Sequence, residues 1–254
     1  IGSGSYGTTG FGSGGGGVGS GSAGFDLTDP FDCNIYLFDS GAGYVMFDAG
    51  TGMGTREILH VCRRDGIALD QIKHLFLTHA HGDHSGGAAH LRRQLPIQVY
   101  AAARTAQIVT AGDEEAVSLP MARAGGIYPA DYIYEACPVE NVLGDGQVVR
   151  IGALTVETIA TPGHSHDHTS YLVTCQGKRY LVGGDAIFFG GKVVWQNTYD
   201  CSVPDTNRSI QRLATYDFDA LLAGHLNFTL RNGKRHLETA CATIARMGCP
   251  RSIG

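Results

Sequence analysis

The sequence lacks the excess of basic residues that binding to nucleic acid requires. Nineteen lysines and arginines stand against 24 aspartates and glutamates in 254 residues, a formal net charge of −5 at pH 7. A phosphate backbone is bound mainly through clustered positive charge, so we expect no nucleic-acid partner. No apolar run approaches the ~20 residues that a membrane helix needs, which excludes a membrane-embedded protein.

Paired cysteines are also missing. The seven cysteines are odd in number and scattered, and they form no C-x-x-C motif. We expect most of them to be reduced and buried, which favours a reducing compartment such as the cytoplasm. The sequence begins at Ile1 rather than methionine, which predicts a trimmed or processed N-terminus.

Glycine, in contrast, is concentrated at the start of the chain. Glycine and serine dominate residues 1–24, a composition typical of a flexible leader, although a glycine-rich hairpin reaching over a site is an equal alternative. Residues 25–254 are enough to bury a substantial core, and we expect them to form a single domain.

Strand-like and helix-like segments alternate after this leader. A predicted hairpin (33–38 and 44–47) is followed by an amphipathic helix (55–64) and a buried strand (72–77). The stretch 101–135 is mainly helical in character, so it predicts a helical insertion that either packs at the periphery or forms a flap over a pocket. From Val142 the chain is rich in strands and then returns to helices. This order predicts an α/β fold with two similar halves packed face to face.

The segment T-H-A-H-G-D-H-S-G-G at 78–87 holds the densest cluster of metal-ligand residues. His79 and His81 are two apart, so in an extended backbone their side chains project to the same side. The glycine that follows permits a turn that aims Asp83 and His84 at a second, nearby point. Ser85 is then the predicted N-cap of a helix over 86–94.

Imidazole and carboxylate ligands together suit zinc, and also iron or manganese. A polar loop with incidental histidines is the alternative reading, but four potential ligands in six consecutive positions argue against it. We therefore predict a metal site here.

Three later residues of ligand type each follow a predicted strand and stand beside glycine: His164, Asp185 and His225. Taken singly, they could be a turn histidine, a helix cap and a surface histidine. Together with the first cluster they bring the inventory to five histidines and two aspartates, which is enough for two adjacent metal ions.

These motifs resemble the ordered motifs of the metallo-β-lactamase-fold superfamily. The matching segments are F-D-A-G at 47–50, T-H-A-H-G-D-H at 78–84, T-P-G-H at 161–164, G-D at 184–185 and G-H at 224–225. The resemblance implies a four-layer αββα sandwich with its metal site at one edge of the two sheets. It also implies a small-molecule carbonyl substrate; the oligomeric state stays open, with a homodimer as one option.

The resemblance further implies a role for each matched residue. The expected cofactor is a pair of Zn²⁺ ions, with iron or manganese as alternatives, and a hydroxide bridging them would attack the substrate carbonyl. Asp83 would also shuttle the proton, and Asp48 would orient a ligating imidazole. The implied ligands are His79, His81 and His164 at the first ion, Asp83, His84 and His225 at the second, and Asp185 bridging both.

The reaction within this superfamily is less clearly indicated. A bridging Asp185 favours a lactonase or a glyoxalase-II-like enzyme over the similar β-lactamases, so we predict hydrolysis of a lactone or ester. His168 matches the later histidine of the T-P-G-H-[ST]-x-x-H pattern common to those hydrolases. A glyoxalase-II-like thioesterase, a β-lactam hydrolase and a mononuclear iron sulfur dioxygenase are the alternatives.

Candidate substrate contacts lie beside the predicted ligands. Many quorum-quenching lactonases carry a tyrosine shortly after the bridging aspartate, whereas this chain has Phe188 and Phe189. We name Phe188, Tyr199 and His166 as candidates for contact with the substrate. Ordinary packing and capping is the favoured explanation for Tyr199, and a solvated turn is the favoured one for His166.

Overall fold

The computed structural model describes residues 16–18 and 28–253. Most of the glycine-rich segment, for which a flexible leader and a hairpin were the alternatives, lies outside the described residues. The described backbone divides into two compact units, one ending at Leu143 and the other beginning at Gly144. We call them the N-terminal and the C-terminal unit and describe each by itself. The assignment of 25–254 to a single domain stays a prediction.

A six-stranded mixed sheet forms the centre of the N-terminal unit, with its strands in sequence order from β1 to β6. The predicted hairpin is confirmed, because β2 and β3 pair antiparallel. From β3 onward, neighbouring strands run parallel. The strands are β1 (Gly16–Val18), β2 (Ile35–Asp39), β3 (Tyr44–Phe47), β4 (Ile72–Phe76), β5 (Gln98–Ala102) and β6 (Asn141–Leu143).

Helices of the N-terminal unit follow its strands. The predicted helix over 55–64 is confirmed as α1 (Thr55–Arg64), which buries Ile58 and Cys62 on one side. Glu57 in its first turn and basic residues in its last turn suit the helix dipole. The other helices are α2 (Gly82–Ser85), α3 (Ala88–Gln94), α4 (Ala103–Ala111) and α5 (Leu119–Ala124), with a 3₁₀ turn at Leu69–Gln71.

The prediction that Ser85 caps a helix beginning at 86 is wrong. Ser85 ends α2 instead, and its hydroxyl donates to the carbonyl of Ala80 at 2.9 Å. The next helix begins only at Ala88. The glycines between the two helices allow close approach to another backbone segment, since a Cβ on Gly87 would lie 2.1 Å from the carbonyl oxygen of Ala49.

The predicted helical insertion is only partly helical. Helices α4 and α5 occupy its first part, whereas residues 125–140 form neither helix nor strand. Gly126, two residues after the end of α5, adopts a φ of +72°, a left-handed conformation that does not continue a right-handed helix. Tyr132 and Tyr134 are buried in this irregular segment, and they join the hydrophobic core of the unit.

A five-stranded sheet forms the C-terminal unit, in the order β11-β10-β9-β8-β7. Neighbouring strands are antiparallel except β10 and β11, which run parallel. Leu172, Leu181 and Leu221 from the sheet pack with Ile210 and Leu237 from the helices in one buried cluster. The elements are β7 (Val148–Ile151), β8 (Leu154–Ala160), β9 (Thr169–Cys175), β10 (Lys178–Gly184), α6 (Val203–Leu213), β11 (Ala220–Ala223) and α7 (Lys234–Ala245).

Strand direction places the ligand-type residues of each unit at one edge of its sheet. In the N-terminal unit, β3 and β4 are parallel, and Asp48 and the histidine cluster follow their carboxyl ends. In the C-terminal unit, β8, β10 and β11 all run in the same direction. His164, Asp185 and His225 follow the carboxyl ends of these three strands.

Candidate metal centre

Three imidazoles meet at the carboxyl edge of the N-terminal sheet. His79 and His84 are fully buried, and His81 is 9% exposed. The ring centroid of His79 lies 4.7 Å from that of His81 and 4.2 Å from that of His84. Rings this close, held in a buried turn, can direct their nitrogen atoms at shared ions.

Asp48 holds one of these rings by hydrogen bonding. Its Oδ2 lies 2.8 Å from Nδ1 of His84, and its Oδ1 accepts the backbone N–H of Thr78 at 2.8 Å. A carboxylate can only accept, so Nδ1 of His84 carries the proton and Nε2 keeps a lone pair for a metal. Asp48 has a φ of +61°, which a non-glycine residue adopts only where its surroundings fix it.

Thr78 orients a second ring. Its hydroxyl donates to Oδ2 of Asp48 at 2.8 Å and lies 3.0 Å from Nδ1 of His79. Since the hydroxyl proton points to the carboxylate, the oxygen accepts from Nδ1 of His79. Both rings are therefore held in the tautomer whose Nε2 atom could ligate a metal ion.

Asp83 is the carboxylate of this set. Its Oδ2 lies 3.7 Å from Nε2 of His84, and its Oδ1 accepts the hydroxyl of Tyr128 at 3.2 Å. Two ligand atoms on one tetrahedral zinc ion, each about 2.0–2.1 Å from it, are separated by roughly 3.3 Å. The spacing of Oδ2 and Nε2 is therefore close to that of two ligands of a single ion.

The C-terminal unit brings its three predicted ligands together. Oδ2 of Asp185 lies 3.5 Å from Nε2 of His164 and 3.4 Å from Nε2 of His225. Direct hydrogen bonds between an imidazolium and a carboxylate are shorter, about 2.7–2.9 Å. His164 and Asp185 are buried, and His225 is half-buried. The two distances match the separation of two ligands on one metal ion.

His168 supports this set in a role that its sequence motif alone did not indicate. Its Nε2 accepts the backbone N–H of Asp185 at 3.0 Å, so its Nδ1 carries the proton and donates to Thr161 at 2.8 Å. The Thr161 hydroxyl lies 3.0 Å from that of Ser170, which donates to the carbonyl of Gly183. All three side chains are buried. This chain of hydrogen bonds fixes the backbone that carries Asp185.

The three candidate substrate contacts differ in exposure. Phe188 is fully buried, with its ring centroid 6.4 Å from that of His225. Tyr199 is 59% exposed, and its ring meets that of the exposed His166 edge-on at 5.9 Å. Phe188 therefore packs behind a predicted ligand, whereas Tyr199 and His166 form an aromatic pair on the surface of the C-terminal unit.

A family model decides the relationship of this chain to known proteins. The model of the metallo-beta-lactamase superfamily matches residues 28–225, which include all the residues described above as predicted ligands. The chain belongs to the metallo-beta-lactamase superfamily. The imidazoles and carboxylates of both units fit the metal ions that proteins of this superfamily typically hold.

Solved structures confirm the predicted metallo-β-lactamase fold. A metallo-beta-lactamase from Cronobacter sakazakii with a HARLDQ motif is 25% identical, with a TM-score of 0.64 over 78% of this chain and 76% of that one. FEZ-1 metallo-beta-lactamase from Legionella gormanii gives a TM-score of 0.66 over 85% of this chain and 89% of that one. FEZ-1 is only 19% identical to this chain, so this likeness supports the fold alone.

Similar curated proteins include a thioesterase and a hydroxyacylglutathione hydrolase. An atrochrysone carboxyl ACP thioesterase from Aspergillus fumigatus is 29% identical over 71% of this chain and 45% of that protein. A hydroxyacylglutathione hydrolase from Rhodopseudomonas palustris is 28% identical over 62% of this chain and 52% of that protein. The chain thus spans about half the length of these relatives.

No helix among the described residues is long and apolar enough to cross a membrane.

Proposed function

We propose that the protein is a dinuclear metal-dependent hydrolase that cleaves the acyl C–O bond of a lactone or ester, or the acyl C–S bond of a thioester. The observation that carries this proposal is the position of Asp185, whose Oδ2 is 3.5 Å from Nε2 of His164 and 3.4 Å from Nε2 of His225. A carboxylate between two imidazoles at ligand spacing suits a bridge between two ions, each bound by one of the rings.

The ions in this proposal are zinc, with iron or manganese as alternatives. When bound, they would lower the pKa of water towards ~7 and polarise the substrate carbonyl. Asp48 keeps Nε2 of His84 available for an ion, and Asp83 takes up and delivers the proton needed by the leaving group. The proposed ligands are His79, His81 and His164 at one ion, Asp83, His84 and His225 at the other, and Asp185 at both.

The names of two relatives favour a thioester among the possible substrates. One is called an ACP thioesterase and the other a hydroxyacylglutathione hydrolase. The exposed pair of Tyr199 and His166 is suited to contact with the acyl or leaving group, and Phe188 to a supporting position behind His225. A β-lactam is the second candidate substrate, since the Cronobacter sakazakii metallo-beta-lactamase is 25% identical over 78% of this chain.

Metal analysis combined with a hydrolysis screen tests the proposal. We expect about two zinc ions per chain and turnover of at least one lactone, ester or thioester, lost on chelation and restored by zinc. Asp185→Asn should reduce the metal content and abolish turnover, because an amide is a weak bridge. Asp217→Asn is the matched control, since Asp217 forms an exposed ion pair with Lys234 in the same unit.

Three results would contradict the proposal. The first is full activity of the protein with only one ion per chain. The second is an Asp185→Asn variant that retains two ions and normal turnover. The third is one iron per chain together with oxygen consumption instead of hydrolysis. Cleavage of β-lactams alone would leave the hydrolase class intact and replace the substrate assignment.

A further inference from the structure

The irregular segment 125–140 of the N-terminal unit brings two stacked tyrosines to the histidine cluster. The rings of Tyr128 and Tyr132 stack with centroids 4.9 Å apart and planes 15° apart. The hydroxyl of Tyr132 donates to the backbone carbonyl of Thr51 at 2.8 Å. Phe31 contacts Tyr128 as well, at a centroid distance of 6.1 Å. Aromatic neighbours and a backbone anchor therefore fix the position of the Tyr128 ring.

The hydroxyl of Tyr128 donates a hydrogen bond to one of the two carboxylate oxygens of Asp83. It donates to Oδ1 at 3.2 Å, while Oδ2 lies 3.7 Å from Nε2 of His84. The Asp83 side chain is 21% exposed, so water competes for its oxygens. A carboxylate rotates readily about its last side-chain bond. A donor fixed on Oδ1 therefore selects the orientation in which Oδ2 faces His84.

A tyrosine phenol ordinarily titrates at about pH 10, far above neutral pH. The phenol consequently stays protonated and acts as a hydrogen-bond donor to the ionised carboxylate.

We propose that Tyr128 is a positioning residue for the reaction, which holds Oδ1 of Asp83 so that the carboxylate keeps its orientation during proton transfer. This inference rests on the proposed function, in which Asp83 moves the proton. Tyr128 acts through Asp83 and has no other part in the chemistry. The orientation of the Asp83 carboxylate matters in the proton-transfer step. Loss of that orientation therefore lowers kcat and leaves KM unchanged.

Tyr128→Phe tests the proposal, because it removes the hydroxyl and keeps the ring in its stack. In saturating zinc we expect kcat to fall about tenfold, the effect of losing one hydrogen bond to a charged group. KM should not change, and the metal content should be retained under these conditions because all seven proposed ligands are still present. Tyr134→Phe is the matched control. The Tyr134 hydroxyl lies 2.6 Å from that of Ser85 in the same unit, so this variant should lose stability and keep its kcat.

A double variant separates positioning of Asp83 from other roles. If Tyr128 acts only through Asp83, Asp83→Asn combined with Tyr128→Phe should be no slower than Asp83→Asn alone. The proposal is overturned by an unchanged kcat in Tyr128→Phe, by lower metal content in that variant, or by a further loss in the double variant. Normal turnover in Asp83→Asn would instead contradict the proton-shuttle role in the proposed function, whatever Tyr128 does.

Discussion

Replacing Asp48 by asparagine should weaken metal binding by placing the proton of His84 on the wrong nitrogen. In the protein, Oδ1 of Asp48 accepts the backbone N–H of Thr78 and Oδ2 accepts Nδ1–H of His84, both at 2.8 Å. The introduced side chain has one oxygen and one NH₂ group. Its oxygen must remain opposite the backbone N–H, because the reverse orientation would set two donors against each other.

The NH₂ group then faces Nδ1 of His84 and donates to it. Nδ1 becomes the acceptor, so the proton moves to Nε2 and occupies the lone pair that would bind the ion. Removing such a partner of a ligating histidine typically costs 10–100-fold in metal affinity, about 1.4–2.8 kcal/mol. The backbone should not change, since asparagine tolerates the left-handed conformation that Asp48 adopts at φ +61°.

The assay is a zinc titration of the metal-free protein in competition with a chromophoric chelator. Asp39→Asn is a suitable control, because Asp39 accepts the backbone N–H of Gly41 in a turn and an asparagine oxygen can do the same. Thermal unfolding of both metal-free variants tests whether the fold is retained. A zinc affinity of Asp48→Asn equal to that of the parent would refute the reasoning about the tautomer.

Three further predictions concern stability and can each be checked by urea unfolding. His168→Phe removes the acceptor of the buried N–H of Asp185 and should cost about 1–3 kcal/mol; an unchanged free energy of unfolding would show that water replaces the imidazole. Gly87→Ala places a Cβ 2.1 Å from a backbone oxygen and should cost about 1–3 kcal/mol, whereas Gly125→Ala, with its nearest contact at 3.4 Å, should cost much less. Burial raises the pKa of Asp32, so the folded state favours the protonated form. The free energy of unfolding should therefore fall as pH rises from the ordinary aspartate pKa, about 3.9, through the raised pKa of the folded state. Asp32→Asn should flatten that dependence, and an equal slope in both proteins would exclude Asp32 as its source.

Elements with a strong local pattern could be predicted from the sequence. The helical spacing of apolar residues at 55–64 predicted a helix that the structure has with the same bounds. The strand-like runs at 33–38 and 44–47 predicted the hairpin formed by β2 and β3. The spacing of His164, Asp185 and His225 after predicted strands was informative because those strands share one direction, which brings the three residues to one sheet edge.

Features that depend on distant partners could not be predicted. Ser85 has the sequence context of a helix cap, but the packing of the glycines after it delays the helix and its hydroxyl turns back to a carbonyl. Tyr128 lies 45 residues beyond Asp83 in an irregular segment, and no local pattern connects them. The position of His168 was clear from its motif, whereas its role depends on a backbone N–H 17 residues later.

The three parallel strand ends of the C-terminal unit have a consequence for how new specificities could arise. Asp185 directly follows β10, whereas His225 and His164 lie two and four residues beyond the ends of β11 and β8, at the start of their loops. Lengthening or exchanging only the part of each loop that follows these residues changes the groups that a substrate meets and leaves the three residues, here called anchors, attached to the same strand ends. Enzymes with new substrates could therefore be made from this scaffold by loop grafting. A metal content equal to that of the parent protein would show that the anchors have kept their positions.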